Sequence, residues 1–165
     1  MNYEFPGALP NQNIILTKTC LIEEANCALI FAFYKGKLVL VRHHCRGWEL
    51  PGGNREEGES IIQMVIREMY EEAGGELESI ERIGQYLIYE QSHLVFVKNI
   101  YISKVSVLRE LPHGFETDEV MLLDTIPKQI EIMEDPAFSP YMKDNVYLIV
   151  SEWIKGHPFT SLLDT

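Results

Sequence analysis

Cations are scarce in this 165-residue chain: Lys and Arg number 14 against 25 Asp and Glu, a net charge of −11 with the histidines neutral. Holding a long nucleic-acid backbone takes many Lys and Arg contacts to phosphates, so no such partner is expected. A small phosphorylated molecule stays compatible with this charge if metal ions bridge the two negative partners. Cysteine is also sparse. Cys20, Cys27 and Cys45 are odd in number and form no CxxC pair, which argues against a disulfide framework and a zinc site. The longest apolar run, Cys27 to Tyr34, is far short of a bilayer span, so no membrane contact is expected. The opening MNYEFPGALP has neither a basic region nor an apolar stretch of the secretory kind. A soluble, reduced, cytoplasmic chain is the expectation. Repeats, low-complexity tracts and Pro/Gly-rich linkers are lacking too, so residues 1–165 are expected to form a single domain.

What is present has globular proportions, 46% apolar and 24% charged. Asn13 to Glu23, Asn26 to Tyr34 and Lys37 to Arg42 read as strands, the last two joined by a Lys35-Gly36 turn. A loop dense in Gly and Pro follows, and then Glu59 to Ala73 has helical periodicity, ended by Gly74-Gly75. Leu77 to Gln91 and Leu94 to Val107 read as two further strands, Leu108 to Thr117 as a polar loop, and Glu119 to Leu123 as a short strand. Apolar spacing from Tyr141 to Trp153 is again helical. This order predicts an α/β fold with a mixed sheet between helices.

The first helix is unusual in its charge. Ile62, Val65, Ile66, Met69 and Ala73 supply its apolar side, whereas Glu68, Glu71 and Glu72 share a different face, about a third of a turn away. Arg67 is the only cation within the helix. Carboxylates at this spacing repel one another, and near the C-terminal end the helix dipole disfavours them. A solvated acidic face is one reading. The other is a hard-cation site, since several carboxylates converging from one face suit Mg²⁺ or Mn²⁺.

From Gly53 the sequence runs GNREEGESIIQMVIREMYEEAGG. Gly53, Glu59, Arg67, Glu68, Met69, Glu71, Glu72 and Gly74 stand at the spacings of the Nudix box, G-x5-E-x7-R-E-U-x-E-E-x-G-U, which here covers residues 53–75. Only the last position departs, with Gly75 where the box has an apolar residue. The preceding Trp48-Glu49-Leu50-Pro51-Gly52-Gly53 also resembles the family's entry to the box. The resemblance implies a Nudix fold, a mixed β-sheet sandwiched between helices, and hydrolysis of a nucleoside diphosphate linked to another group. It further implies Mg²⁺ or Mn²⁺ held by Glu68, Glu71, Glu72 and a carbonyl of Gly53 or Gly52, with Glu59 and Arg67 paired to orient the helix. Glu59 also suits the helix N-terminus on electrostatic grounds alone.

In some Nudix enzymes the group that activates water is a glutamate in the loop after the long strands. In His113-Gly114-Phe115-Glu116-Thr117-Asp118-Glu119 this points first to Glu116 and second to Glu119, with a merely solvated loop as the alternative. Arg42, His43 and His44 end a strand just before the box, where they are candidates for contacting substrate phosphates. Ile83-Gly84-Gln85-Tyr86, Val97-Lys98-Asn99-Ile100-Tyr101, Phe115-Glu116-Thr117 and Tyr141-Met142-Lys143-Asp144 are similar to the MutT-like nucleoside triphosphatases of bacillus-type bacteria. That branch is associated with removing 8-oxo-dGTP, which implies release of monophosphate and pyrophosphate. Phe138, Tyr141 and Lys143 are candidates for reading the base or for core packing. Three alternatives stay open: cleavage of ADP-ribose or dinucleoside polyphosphates, action on RNA 5′ ends, or ligand sensing without turnover.

Overall fold

Alternation along one strand sets the layers. In the computed structural model, which describes residues 2–160, Phe31 and Phe33 face one side of the sheet while Ala28, Ile30 and Ala32 face the other. The chain begins with β1 (Asn2–Pro6), β2 (Gln12–Thr17), β3 (Cys27–Tyr34), β4 (Lys37–His43), β5 (Gly47–Glu49) and β6 (Gly52–Asn54). Helix α1 (Ile61–Ala73) follows, then β7 (Gly75–Glu90), β8 (His93–Leu108) and β9 (Thr117–Leu123). Helices α2 (Gln129–Glu134) and α3 (Asn145–Trp153) complete the order, with a 3-10 turn at Pro140–Met142 between them.

Seven strands form the path β1-β2-β7-β8-β3-β4-β5, with β6 added beside β3 and β9 beside β4. The β3–β8 pair is parallel and every other pair is antiparallel, so the sheet is mixed. Met64, Val65 and Met69 of α1 pack on the Ala28/Ile30/Ala32 face, and Val146, Tyr147 and Val150 of α3 pack on the Phe31/Phe33 face. This is the expected sheet between helices. Among the described residues no helix is long and apolar enough to cross a membrane.

Three expectations need correcting. The strand expected over Asn13 to Glu23 ends at Thr17. Beyond it, the fully buried Gln85 amide accepts hydrogen bonds from the Leu21 and Ile22 N–H groups and donates to the Ile22 carbonyl, satisfying backbone that would otherwise need a ladder. In α1, Ile62 and Ile66 are 39% and 50% exposed, and Met64 is buried in their place. The helix is turned so that Glu72, only 8% exposed, joins the packed face instead of lying away from it. The continuous helical stretch expected over Tyr141–Trp153 is broken in two, because Asp144 caps α3 by accepting from the Val146 N–H at 2.9 Å. The three-residue strands GWE and GGN, with β1 and α2, carried too little local pattern to be foreseen.

Helix α1 is fixed at both ends. Ser60 and Gln63 form a reciprocal capping box at 3.1 and 2.8 Å. Gly74 closes the helix in the left-handed region (φ 69°), its N–H donating to the Tyr70 carbonyl at 2.8 Å. A Cβ on Gly74 would lie 2.5 Å from the Arg109 carbonyl oxygen, whereas one on Gly58 (φ 79°) would meet nothing within 4 Å. Both Gly→Ala changes carry the left-handed penalty of about 1–2 kcal/mol, so Gly74→Ala is expected to destabilise by clearly more than Gly58→Ala. Urea unfolding of the two variants measures the difference, and equal losses would contradict this account of the cap.

Candidate active site

Strand β6 is short and rich in glycine because it lies against α1. It is held by β3, with Ala28 opposite Gly53 and Leu29 opposite Gly52. A Cβ on Gly53 would sit 2.6 Å from Glu68 Oε1, so the strand can approach the carboxylate this closely only as glycine. The Gly52 N–H donates to Glu72 Oε1 at 3.2 Å. From the other side Thr117 Oγ1, at the start of β9, donates to the Glu72 backbone carbonyl at 2.7 Å.

Arg67 organises the carboxylates. Its guanidinium forks onto Glu59 (Nε to Oε2 2.7 Å, Nη2 to Oε1 3.0 Å) and donates to Glu68 Oε1 at 2.9 Å, Glu71 Oε2 at 3.2 Å and the Asn54 carbonyl at 3.1 Å. The hydrogen bond to Arg67 holds the Glu59 carboxyl below its usual range. Glu72 behaves in the opposite way. Burial, then the nearby Glu68 charge, push its carboxyl well above the ordinary range, and burial raises Glu68 as well.

These residues fit a divalent cation. Glu68 and Glu72 are close enough to hydrogen-bond each other, which requires a shared proton or a counter-ion. One guanidinium does not balance Glu59, Glu68, Glu71 and Glu72. An all-oxygen set of this kind suits Mg²⁺ or Mn²⁺ better than a softer metal.

A cleft of about 750 Å³ runs from these carboxylates across the ends of β3 and β8 to an aromatic end at Tyr86, Phe96 and Tyr141. Glu116 lines it, whereas Glu119 is bound to Arg42 Nη1 at 2.8 Å and is absent from the lining. Arg42 and His43, expected at substrate phosphates, do not line the cleft. The Arg42 guanidinium pairs with Asp118 at 2.7 Å and with Glu119, and lies over the Trp48 ring at 5.8 Å. His43 is buried, its Nδ1 accepting from the Cys45 and Arg46 N–H groups and its Nε2 lying 3.4 Å from Glu116 Oε2. His44 Nδ1 is 2.6 Å from the Glu116 carbonyl oxygen. Of the base-reading candidates only Tyr141 lines the cleft. Lys143 donates to the Asp135 carbonyl at 2.9 Å, and Phe138 packs on the core.

Sequence reasoning assigned no role to several charged residues of the lining, among them Arg46, Glu49, Arg55, Lys98 and Asp144. Arg46 forks onto the buried Glu49 at 2.7 and 3.1 Å and lies over the Tyr141 ring at 4.8 Å. Lys98 carried a signal, as a lone cation on the inward face of Phe96-Val97-Lys98-Asn99-Ile100.

Comparison with known proteins identifies the family. The NUDIX domain description matches residues 24–138, well over half of the chain. The chain belongs to the Nudix family. Nudix hydrolases act on nucleoside diphosphates linked to a further group and generally use divalent metal ions. YtkD of Bacillus subtilis (strain 168), named as a candidate 8-oxo-dGTP diphosphatase, is 33% identical over 122 residues, 74% of this chain and 75% of that protein. The crystal structure of the B. subtilis pyrophosphohydrolase BsRppH superposes with a TM-score of 0.83 at 28% identity, covering 91% of this chain and 94% of the other. A NUDIX hydrolase from Nitrosomonas europaea shares the fold at a TM-score of 0.59 and 20% identity, over 79% and 88% of the two chains.

The raised Glu72 carboxyl gives this Nudix site a pH signature. A carboxyl that holds its proton more tightly folded than unfolded stabilises the fold at low pH, and that stability is lost as pH rises above the ordinary glutamate range. In chelator, the wild-type melting temperature is expected to fall between about pH 5 and about pH 8 by more than that of Glu72→Gln, which imitates the neutral form. Mg²⁺ should restore the wild type at the upper pH and leave the variant nearly unchanged. Parallel melting curves for the two proteins would contradict the assignment.

Proposed function

We propose that this Nudix hydrolase cleaves a purine nucleoside triphosphate, with 8-oxo-dGTP as the first substrate to test, to the monophosphate and pyrophosphate, in a nucleotide-sanitising role suited to the cytoplasm. The observation that carries this reading is the two-ended cleft. Three glutamates of α1 meet Gly52 and Gly53 at one end, and three aromatic rings stand at the other. Its volume suits one nucleotide. The kinship with YtkD supports the choice of base, and BsRppH supports the choice of pyrophosphate as product.

Glu68, Glu71 and Glu72, with a carbonyl of Gly53, would hold Mg²⁺ or Mn²⁺. A cation bound there supplies charge neutralisation along the phosphate chain and Lewis acidity toward water. The protein's own groups do the rest. Arg67, held by Glu59, fixes the Glu68 and Glu71 carboxylates while the Gly52 N–H fixes Glu72, and Gly53 lets the phosphates approach without a side chain in the way. Glu116, at the mouth of the cleft beside the buried His43, takes the proton of the attacking water. Arg55, next in sequence to Asn54, is a further cation lining the cleft.

Hydrolysis of a nucleotide panel in ¹⁸O-water tests the reading. The panel includes ADP-ribose, a dinucleoside polyphosphate and a 5′-triphosphorylated oligonucleotide. With Mg²⁺ the highest kcat/KM is expected for a purine triphosphate, with label in pyrophosphate and none in the monophosphate. Glu116→Gln should give the same products with kcat lower by about 10²-fold. Label in the monophosphate, or a higher kcat/KM for ADP-ribose or the oligonucleotide, would overturn the proposal.

A further inference from the structure

Lys98 is out of pattern. It lies on the face of β8 that otherwise presents Phe96, Ile100 and Ile102 to the core beneath α3. Its half-buried side chain lines the cleft and places the ammonium 5.5 Å from the Tyr86 ring, 5.8 Å from Phe96 and 5.4 Å from Tyr141. Among the described residues that ammonium makes no hydrogen bond and no ion pair. Ring faces replace part of a cation's hydration, and they satisfy none of its three N–H donors directionally. Burial accordingly lowers the Lys98 pKa. A desolvated donor kept without a protein acceptor calls for an acceptor from a ligand.

Two kinds of acceptor fit a nucleotide: a phosphate oxygen or a carbonyl on the base. The surroundings favour the base. Asp144 lines the same end of the cleft, its carboxyl pushed up to about 6 by burial, and an added phosphate would repel it. Glu49 stands on the phosphate side of Lys98 and has already taken Arg46. Tyr86, Phe96 and Tyr141 offer stacking surface to a planar ring and little to a phosphate. Position agrees. Gly53 pairs with Ala28, and Ala28 with Asn99, so Lys98 lies two strand spacings, about 10 Å, from the glutamate end. A sugar intervenes between base and phosphates over a comparable distance.

We infer that Lys98 determines base specificity: its ammonium donates to the ring carbonyl of a 6-oxopurine held against Tyr141, and Asp144 accepts the ring N–H beside that carbonyl. An amino group at the same position would set donor against donor. This inference rests on the reading of the cleft as a nucleoside polyphosphate site.

The test compares wild type with Lys98→Met on inosine triphosphate, adenosine triphosphate and inorganic tripolyphosphate. Calorimetry of inosine and adenosine monophosphates, which needs no turnover, runs beside it. Wild type is expected to favour the inosine compounds at least about 10-fold in kcat/KM and in affinity, the scale of one charge-assisted hydrogen bond. In Lys98→Met both preferences should collapse toward one, while the melting temperature holds or rises because an apolar chain replaces a buried ammonium. Equal losses on all three polyphosphates would make Lys98 a phosphate contact and overturn the inference. Unchanged inosine monophosphate affinity in the variant would also overturn it. Absence of hydrolysis with the monophosphate preference intact would refute the proposed reaction and leave the base contact standing.

Discussion

One guanidinium holds the acidic end of the cleft together. Arg67 donates to Glu59, Glu68, Glu71 and the Asn54 carbonyl, thereby joining the loop before α1, the helix itself and strand β6. Without it, carboxylates one turn apart would repel, and partial burial would make the repulsion stronger than in water. With it, Glu59 is neutralised by a two-point fork while Glu68 and Glu71 share what remains, and Glu72 is left with burial and a like charge. The arrangement is short of positive charge by design of its residues. That shortfall makes it a receptor for a small hard cation, and it also explains how so acidic a chain can receive a phosphate ester.

Much of this end was legible in the sequence, because its spacing is set within one helix and one loop. Glu68 and Glu72 are a turn apart in any helix, and the distance from Glu59 to Arg67 follows once Ser60 caps α1. Alternation likewise marked β3 and β4, and the long β7–β8 pair, to within a residue or two. The misses have a common cause in contacts between segments far apart in sequence. Arg42 looked like a phosphate ligand until β9 brought Asp118 and Glu119 alongside it. Ile62 and Ile66 looked like core until β6 and β9 turned α1 by claiming Glu72. Lys98 and Asp144 come from a strand and a cap 46 residues apart, and no local period could place them in one cleft.

The cleft thus divides into an end built from the box residues and an end outside the box. The box residues and the two glycines are the part that motif spacing identifies, and the NUDIX domain match covers them. Relatives such as the Nitrosomonas hydrolase share the fold at low identity, so they say little about which base is read. Selection of the base falls to Lys98, Asp144 and the three rings, residues that differ in chemistry from the acidic end, with Lys98 two strand spacings from it. Turnover and specificity can therefore vary independently on one sheet.

The central claim is that the Glu59–Arg67 fork sets the geometry in which Glu68, Glu71 and Glu72 bind a divalent ion. A double-mutant cycle of Glu59→Gln and Arg67→Lys, read as the Mg²⁺ dissociation constant by calorimetry, tests it most directly. Arg67→Lys keeps the charge and removes the fork, so any loss reports positioning and not electrostatics. The expected result is about 10-fold weaker Mg²⁺ binding in each single variant, and a double variant much less impaired than the product of the two. Wild-type affinity in Arg67→Lys, or losses that simply multiply, would contradict the account.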